Sequence, residues 1–369
     1  MNIKRHLKPG TLLILLPFFI AFIVFLAVKL AVNNPELVEK YYSRGLYPVI
    51  TVVLSTLSNI IPFSLWDISW MMMIVFLLAG LLLVISGTIT LKWFFVRILQ
   101  VTMVFYSLFY LLWGFNYFRP GLESRMGWER SKPDEKTFRS VLSLLIENAN
   151  KTRSKLDHSQ YSELNLLVED SYRKNSDLLK IDYYQGQRRP KTMLLSSYFA
   201  KSEVSGYFGP LFNEVHVNYY LLPLDYPFTL AHEKAHQLGF ASEAEANMIA
   251  FIVCLSSEDV RLQYSASLHM LLYFLNDAHD LPDYKEIIKK LDDEVISDIM
   301  MKQEYYTKLA DKHLSKIQEK ANDLYLKSNR IDKGVKNYNQ VVGLVLSWYN
   351  NLNSGKAMSA QGFTLSLKK

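Results

Sequence analysis

The chain has 369 residues, half of them hydrophobic, with a mean hydropathy of +0.05 and a formal net charge of +6. The apolar residues crowd into the first 118 positions, where eight Lys/Arg face three acids, so +5 of the +6 belongs to this segment. The basic balance therefore reports the flanks of apolar runs and excludes a nucleic-acid-binding face, while the single cysteine, Cys254, excludes an internal disulfide and a thiolate metal cluster.

Three apolar runs have the length a membrane-spanning helix requires, about 20 residues. The first is Thr11 to Ala31, "TLLILLPFFIAFIVFLAVKLA", with Lys29 placed to snorkel toward headgroups. The run is too long for a signal peptide, and no small-residue cleavage site follows it. The second covers residues 68 to 88 and includes "WMMMIVFLLAGLLLVI"; the third covers residues 98 to 115, "ILQVTMVFYSLFYLLWGF". Between the first two, residues 47 to 63 ("YPVITVVLSTLSNIIPF") are broken by Pro48 and Pro62, with 13 residues between them. That is too short to cross, and an interfacial or re-entrant helix is expected. "KRHLK" at residues 4 to 8, with Lys92 and Arg97, marks the cytoplasmic side, so three spans deliver the chain beyond residue 118 to the extracytoplasmic side of a bacterial membrane.

From Arg119 the composition turns polar. "SKPDE" starts a helix over residues 133 to 149, with Phe138, Val141, Leu142 and Leu145 at three and four spacing. A second helix is expected over residues 163 to 179. Residues 191 to 200 ("KTMLLSSYFA") and 213 to 222 ("NEVHVNYYLL") read as strands, joined by a turn at "SGYFGP". Helix resumes after Pro227 to about Asn276, followed by a long amphipathic helical region over residues 283 to 325, a short helix over 341 to 349, and a flexible tail over 352 to 369.

Residues 230 to 247 read "LAHEKAHQLGFASEAEAN". His232 and His236 lie at i and i+4, so on a helix both imidazoles reach one ion. Glu233 sits beside that face, where a carboxylate acts as a base without being a ligand. Gly239 ends the helix, and Ser242 with Glu245 three residues later forms a capping box that starts another. On this second helix Glu243 and Glu245 lie about 160° apart, so both cannot face the ion. Small and apolar residues (Ala246, Ala250, Val253, Cys254) share the Glu243 side, and an inward carboxylate there requires a positive partner. Glu243 is the expected third ligand, Glu245 the cap, and Asn247 a group that orients His232 or the Glu243 carboxylate. Two His and one Glu leave an open position, the catalytic arrangement for Zn2+. The strand before the motif offers an edge to an extended peptide, with His216, Asn218, Tyr219 and Tyr220 as candidates for substrate or oxyanion contact. His269 reads as a packing histidine.

These residues resemble the zincin metallopeptidases of the gluzincin branch, in which a Glu four residues before Asp or Asn on a second helix completes the site; "SEAEANMIAF" (residues 242 to 251) is similar to that segment. Over nearly its full length the chain also resembles an uncharacterised family of bacterial integral membrane proteins, through "WGFNYFRPGL" (113 to 122), "GPLFNEVHVN" (209 to 218), the histidine motif and "YLKSNRIDKGVKNYNQVVGLVL" (325 to 346). The expected fold is mainly α. A membrane domain (1–118) precedes an α+β, zincin-like metallopeptidase domain with a small β-sheet (119–351). The resemblance implies a membrane-anchored zinc metallopeptidase acting on peptide or protein, or another amide in the cell envelope. The competing expectation is a non-enzymatic sensor or scaffold that keeps the zincin fold. Lys234 supports it, because zincins usually carry an uncharged residue there. The link from His236 to Glu243 is also shorter than in most gluzincins. The sequence sets neither the substrate nor the oligomeric state.

Overall fold

The computed structural model describes residues 9–130, 134–155, 160–181, 183, 188–329 and 340–354. The basic cluster at residues 4–8, the start of "SKPDE", part of "QGQRRPKT", the middle of the 325–346 segment and the tail beyond residue 354 lie outside the described residues.

Among the described residues, three helices are long and apolar enough to cross a membrane. α1 (Pro9–Val32) is followed by a short α2 (Pro35–Leu37), a π-helical segment (Val38–Leu46) and α3 (Tyr47–Asn59). Then come α4 (Leu65–Ile85) and α5 (Leu91–Leu112). Ser64 caps α4 by accepting from the Asp67 N–H, and Thr90 caps α5 by accepting from the Trp93 N–H. Between them Gly87 turns the chain at φ +74°. Only 6% of the most apolar window of α4 is buried, so a helix that is apolar all round presents its side chains outward, which fits lipid contact. α1 lies against α5, where Gln100 donates to the Ile14 carbonyl at 2.8 Å.

α3 is 13 residues long and too short to cross. It buries Thr51, Ser55 and Ser58 on one side and exposes Val49, Val53 and Leu57 on the other. That four-residue spacing makes one exposed apolar stripe along the helix.

Beyond α5 a 3-10 turn (Gly114–Phe118) leads to α6 (Leu122–Met126), α7 (Glu135–Thr152), α8 (Tyr161–Lys174) and α9 (Ser176–Leu179). β1 (Lys191–Thr192), α10 (Ser196–Lys201), β2 (Gly206–Gly209) and β3 (Glu214–Val217) follow. The rest is helical: α11 (Tyr226–Gln237), α12 (Glu243–Leu255), α13 (Val260–Ala278), α14 (Tyr284–Ile288), α15 (Asp293–Leu309), α16 (Lys312–Ser328) and α17 (Val341–Asn353). The chain is mainly helical with one small mixed sheet in the order β1-β3-β2, β1 parallel and β2 antiparallel to β3. α12 is apolar on nearly every side and is enclosed by α8, α11, α13 and α17.

Several expected elements change. The strand expected over 191–200 is two residues long, because Asp67 takes the Leu194 N–H and turns the backbone away, and α10 begins at Ser196. The strand expected over 213–222 ends at Val217, where Asn218 Oδ1 accepts the Tyr220 N–H in a side-chain-capped turn. The "SGYFGP" turn is instead strand β2, which makes β3 the central strand and removes its free edge. A break at Ser256–Asp259, where Asp259 caps α13, divides the helix expected to run on to Asn276. The 283–325 region is three helices, with Asp311 capping α16.

Contacts cross the compositional boundary at residue 118 at several places, among them Tyr110 to Asn329 and Tyr117 to Tyr325. Glu214 of β3 accepts from the Leu65 and Trp66 N–H groups at the positive start of α4 and pairs with Lys191, whose ammonium also donates to the Ser58 and Phe63 carbonyls. At the end of α11 the last carbonyls have no partner within the helix. Trp113 Nε1 donates to His236 O at 2.8 Å, Tyr47 Oη to Gln237 O at 2.7 Å, and Arg119 to Gly239 O at 2.8 Å. Arg119 is itself held by Glu39 in a two-point ion pair.

Trp113→Phe removes the indole donor and part of a buried ring, while the Gly239 N–H still bonds the His236 carbonyl, so the expected cost is about 1–3 kcal/mol for one lost buried hydrogen bond and the space beside it. The thermal unfolding midpoint in detergent should fall, while Trp93→Phe on the exposed side of α5 should leave it nearly unchanged. An unchanged midpoint in Trp113→Phe would mean that carbonyl capping does not join the two parts.

Candidate metal centre

α11 is buried almost throughout, and its end has the geometry of a glycine stop. Gly239 sits at φ +88°, its N–H bonded to the His236 carbonyl and the Phe240 N–H to that of Ala235. A Cβ at Gly239 would stand 3.1 Å from both Asn116 and Tyr47, so the turn is also wedged against the segment that precedes it. The reversal brings α12 back beside α11 and points Glu243, at its first position, at the two histidines.

His232 Nε2 lies 3.1 Å from His236 Nε2. Glu243 Oε2 is 3.2 Å from the first and 3.6 Å from the second. Each ring's other nitrogen has an oxygen partner: His232 Nδ1 is 2.8 Å from Asn247 Oδ1, and His236 Nδ1 is 2.7 Å from Phe240 O. A carbonyl oxygen only accepts, so both Nδ1 atoms carry hydrogen and both Nε2 lone pairs converge on one point when the rings are neutral. Ligands about 2.0–2.1 Å from a tetrahedral ion stand roughly 3.3 Å apart. The three separations here bracket that value, so the donors fit such an ion without rearrangement.

The same closeness sets the charges. Burial opposes ionisation of Glu243, but His236 and His232 overcome it and hold the carboxyl well below the ordinary range. Burial pulls His236 down, and the Glu243 and Glu233 carboxylates outweigh it, raising it to about 9. Glu233 goes the other way: burial pushes its carboxyl up to about 7 against the pull of the two histidines.

A cleft of about 900 Å³ lies over these groups. His232, Glu233, His236 and Glu243 form its floor, and β2 forms one wall. α16, Trp113 and Tyr117 also line it. β2 passes directly over Glu233: a methyl group at Gly206 would stand 2.7 Å from Glu233 Oε1. Glycine is required there by contact, at a residue whose φ is ordinary.

The structure brings together five of the residues singled out from the sequence, namely His232, Glu233, His236, Glu243 and Asn247. Four others lie elsewhere. His216 is buried, with Nε2 2.8 Å from Ser64 Oγ and its ring stacked on Tyr207 at 4.5 Å, in the network that ties β3 to α4. Asn218 donates to the Ser196 and Val204 carbonyls and shapes a turn. Tyr219 is 70% exposed, and Tyr220 is also exposed and away from the cleft over the histidines. None of the four lines the cleft over the histidines; Asn218 and Tyr220 line an adjoining pocket that shares Val204, Ser205, Thr229 and His269 with it. The sequence reading missed Tyr273 and Tyr325, which line the cleft from α13 and α16; Tyr273 Oη is 3.5 Å from Asn247 Nδ2. Each lies far along the chain in a helix whose pattern reads as ordinary packing. His269 stacks on Phe228 at 4.3 Å on the cleft wall, outside the ligand set.

Two acid–base assignments change. Glu245 forms no capping box. It accepts from the Leu122 N–H at 2.8 Å and pairs with Arg125, and the Ser242 side chain makes no cap bond. Lys234 is only 1% exposed. It points away from the cleft and is bound by Glu169 at 2.5 Å and the Arg188 carbonyl at 2.7 Å. Burial depresses the Lys234 ammonium, and Glu169 opposes that by holding its charge.

The class these features define is a mainly helical protein with three membrane-length helices, a small mixed sheet and a His/His/Glu cluster beneath a cleft. The chain belongs to the DUF3810 family, described as a protein of unknown function, which matches residues 42–346. The matched stretch begins after α1 and includes the whole cleft. No curated protein and no solved structure matches the chain.

Lys234→Met leaves Glu169 with Arg188 and the Tyr183 hydroxyl as its remaining partners and should destabilise the fold by about 3–5 kcal/mol, the range for breaking a buried pair. Metal stoichiometry of the folded fraction should be unchanged, and loss of metal there would place Lys234 in the site. The titration of His236 gives a further expectation for the metal-free protein. Between 6.5, the value of an unperturbed His, and about 9 the folded chain holds a proton the unfolded chain has released. Stability therefore falls as pH rises through that window, and a melting series from pH 6 to 9.5 without metal tests it. Added metal, which binds neutral imidazole, should flatten the decline.

Proposed function

We propose that this protein is a membrane-anchored zinc-dependent hydrolase of peptide or amide bonds, with a zincin-like site built from His232, His236 and Glu243. The observation that carries this reading is the convergence of the two Nε2 atoms and one carboxylate oxygen at 3.1–3.6 Å, with both Nδ1 atoms tied to oxygen acceptors. Two imidazoles and one carboxylate are zinc donors that leave a position open for chemistry. When bound, zinc supplies a Lewis acid that activates water and polarises a carbonyl.

Glu233 is the catalytic base. Its carboxylate borders the cluster without being a donor, and a raised pKa suits a group that must both accept and release a proton near neutral pH. It takes a proton from the attacking water and delivers it to the departing amine. The hydroxyl remains on the carbonyl carbon as the C–N bond breaks. β2 is an edge strand along the cleft, so an extended peptide has a backbone to pair with there, in place of the buried β3. Asn247 holds the His232 tautomer. Lys234 spends its charge on Glu169 behind the helix, so the residue that favoured a non-enzymatic scaffold does not touch the site. Lys92 and Arg97 lie toward the opposite end of α5 from the cleft, which favours an extracytoplasmic site.

Zinc per chain in the purified protein tests the reading. About one equivalent is expected in wild type, retained in Glu245→Gln and Glu233→Gln and lost in Glu243→Ala, as a three-ligand site implies. Zinc-free wild type, or equal retention in all variants, overturns the ligand assignment. Glu233→Gln should abolish hydrolysis, and Gly206→Ala, which presses on the same carboxylate, should lower the rate with zinc retained. Activity in Glu233→Gln equal to wild type would sink the base assignment.

A further inference from the structure

The depth of the cleft relative to the bilayer carries information about substrate that the cluster alone does not. α5 has 22 residues and rises about 33 Å, which matches a hydrocarbon core of about 30 Å. With Lys92 and Arg97 at the far end of a spanning α5, Leu112 falls near the edge of the hydrocarbon and Trp113 close to the headgroup layer. That same Trp113 lines the cleft, donates to His236 O at 2.8 Å, and has its ring centre 6.2 Å from that of His236. The proposed ligands thus stand about one indole beyond the end of a span. Tyr117, one turn further on, also lines the cleft, and Tyr110 and Phe115 pack beside it in an aromatic cluster of the kind that sits at a membrane surface.

α3 is an independent gauge of the same depth. Its apolar stripe, Val49, Val53 and Leu57, is exposed, while Tyr47 at its start bonds Gln237, the residue after His236. A flat helix with that stripe in the bilayer surface places the end of α11 directly above it. α4 agrees, since its first residues are bonded to β3 of the same sheet whose β2 walls the cleft.

We infer that the substrate is a polypeptide anchored in the same bilayer by a transmembrane helix, cut within a few residues of where it leaves the hydrocarbon. This rests on the hydrolase reading above and adds the substrate class. A bond in a segment held well above the membrane has to be drawn down to headgroup level to meet Glu233. A bond just beyond a transmembrane anchor is already there, and the tether supplies the proximity. The reaction itself is unchanged: water adds across the amide, giving a carboxylate on one fragment and an amine on the other.

The test uses the full zinc-loaded chain in liposomes with reporter polypeptides, each bearing one transmembrane helix and a randomised segment. In one set the segment abuts the anchor. In the second, a 20-residue helical spacer lifts it by about 30 Å. A third presents the segment free in solution, and Glu233→Gln supplies the background for all three. Cleavage sites and rates are read by mass spectrometry. The abutting set should be cut at least about tenfold faster than the spaced set, at bonds clustered next to the anchor. Equal rates in the abutting and spaced sets, or faster cutting of the free segment, overturn the inference while leaving the hydrolase standing. No Glu233-dependent cleavage in any set removes the hydrolase reading and this inference with it.

Discussion

The end of α11 has carbonyls that its own helix cannot satisfy, and the groups that satisfy them come from the membrane side of the chain and from Arg119 just past it. Trp113, Tyr47 and Arg119 each donate to one of them, at His236, Gln237 and Gly239. Unpaired, each carbonyl would carry a desolvation penalty in a buried place. Arg119 also brings positive charge to the negative end of the helix dipole, and Glu39 keeps that charge paired. The position of the histidine helix, the glycine turn after it and the approach of α12 are all set from this junction. The 3.6 Å separation of Glu243 from His236 is the downstream result.

α11 has to solve two charge problems on opposite sides. Toward the cleft it carries two imidazoles and a carboxylate whose mutual closeness holds Glu243 ionised. Away from the cleft it buries Lys234, which neutralises Glu169 beside Arg188. At 100° per residue, a position between the two histidines can face away from both. A buried cation inside the motif is therefore compatible with a cation site one helix-width away, because each is paired with its own carboxylate.

Much of this was legible from spacing. The i, i+4 histidines, the stop at Gly239 and the 160° separation of Glu243 from Glu245 are local helix geometry, and local geometry is what a sequence encodes most directly. Apolar runs of about 20 residues gave the three membrane-length helices for the same reason. What was not legible depends on partners far along the chain. Glu245 resembled a cap until Arg125, 120 residues upstream, came into contact. Gly206 looked like turn punctuation and is instead the point where a strand crosses Glu233. His216 and Asn218 lie in a segment that reads as an exposed strand, and their roles are fixed by Ser64 and by the carbonyls of Ser196 and Val204. Lys234 read as an open question because its answer, Glu169, lies on another helix 65 residues earlier.

The carbonyl-capping junction also bears on how such a chain can evolve. Composition changes sharply near residue 118, and a purely compositional view would allow the two halves to be exchanged as modules. The hydrogen bonds that set the histidine helix run across that boundary, as do those from Glu214 and Lys191 to the start of α4 and the end of α3. A recombination event at the boundary would take a hydrogen-bond partner from each of these buried groups. Selection would therefore keep the anchor and the cleft together, and a soluble descendant would first have to invent a different way to finish α11.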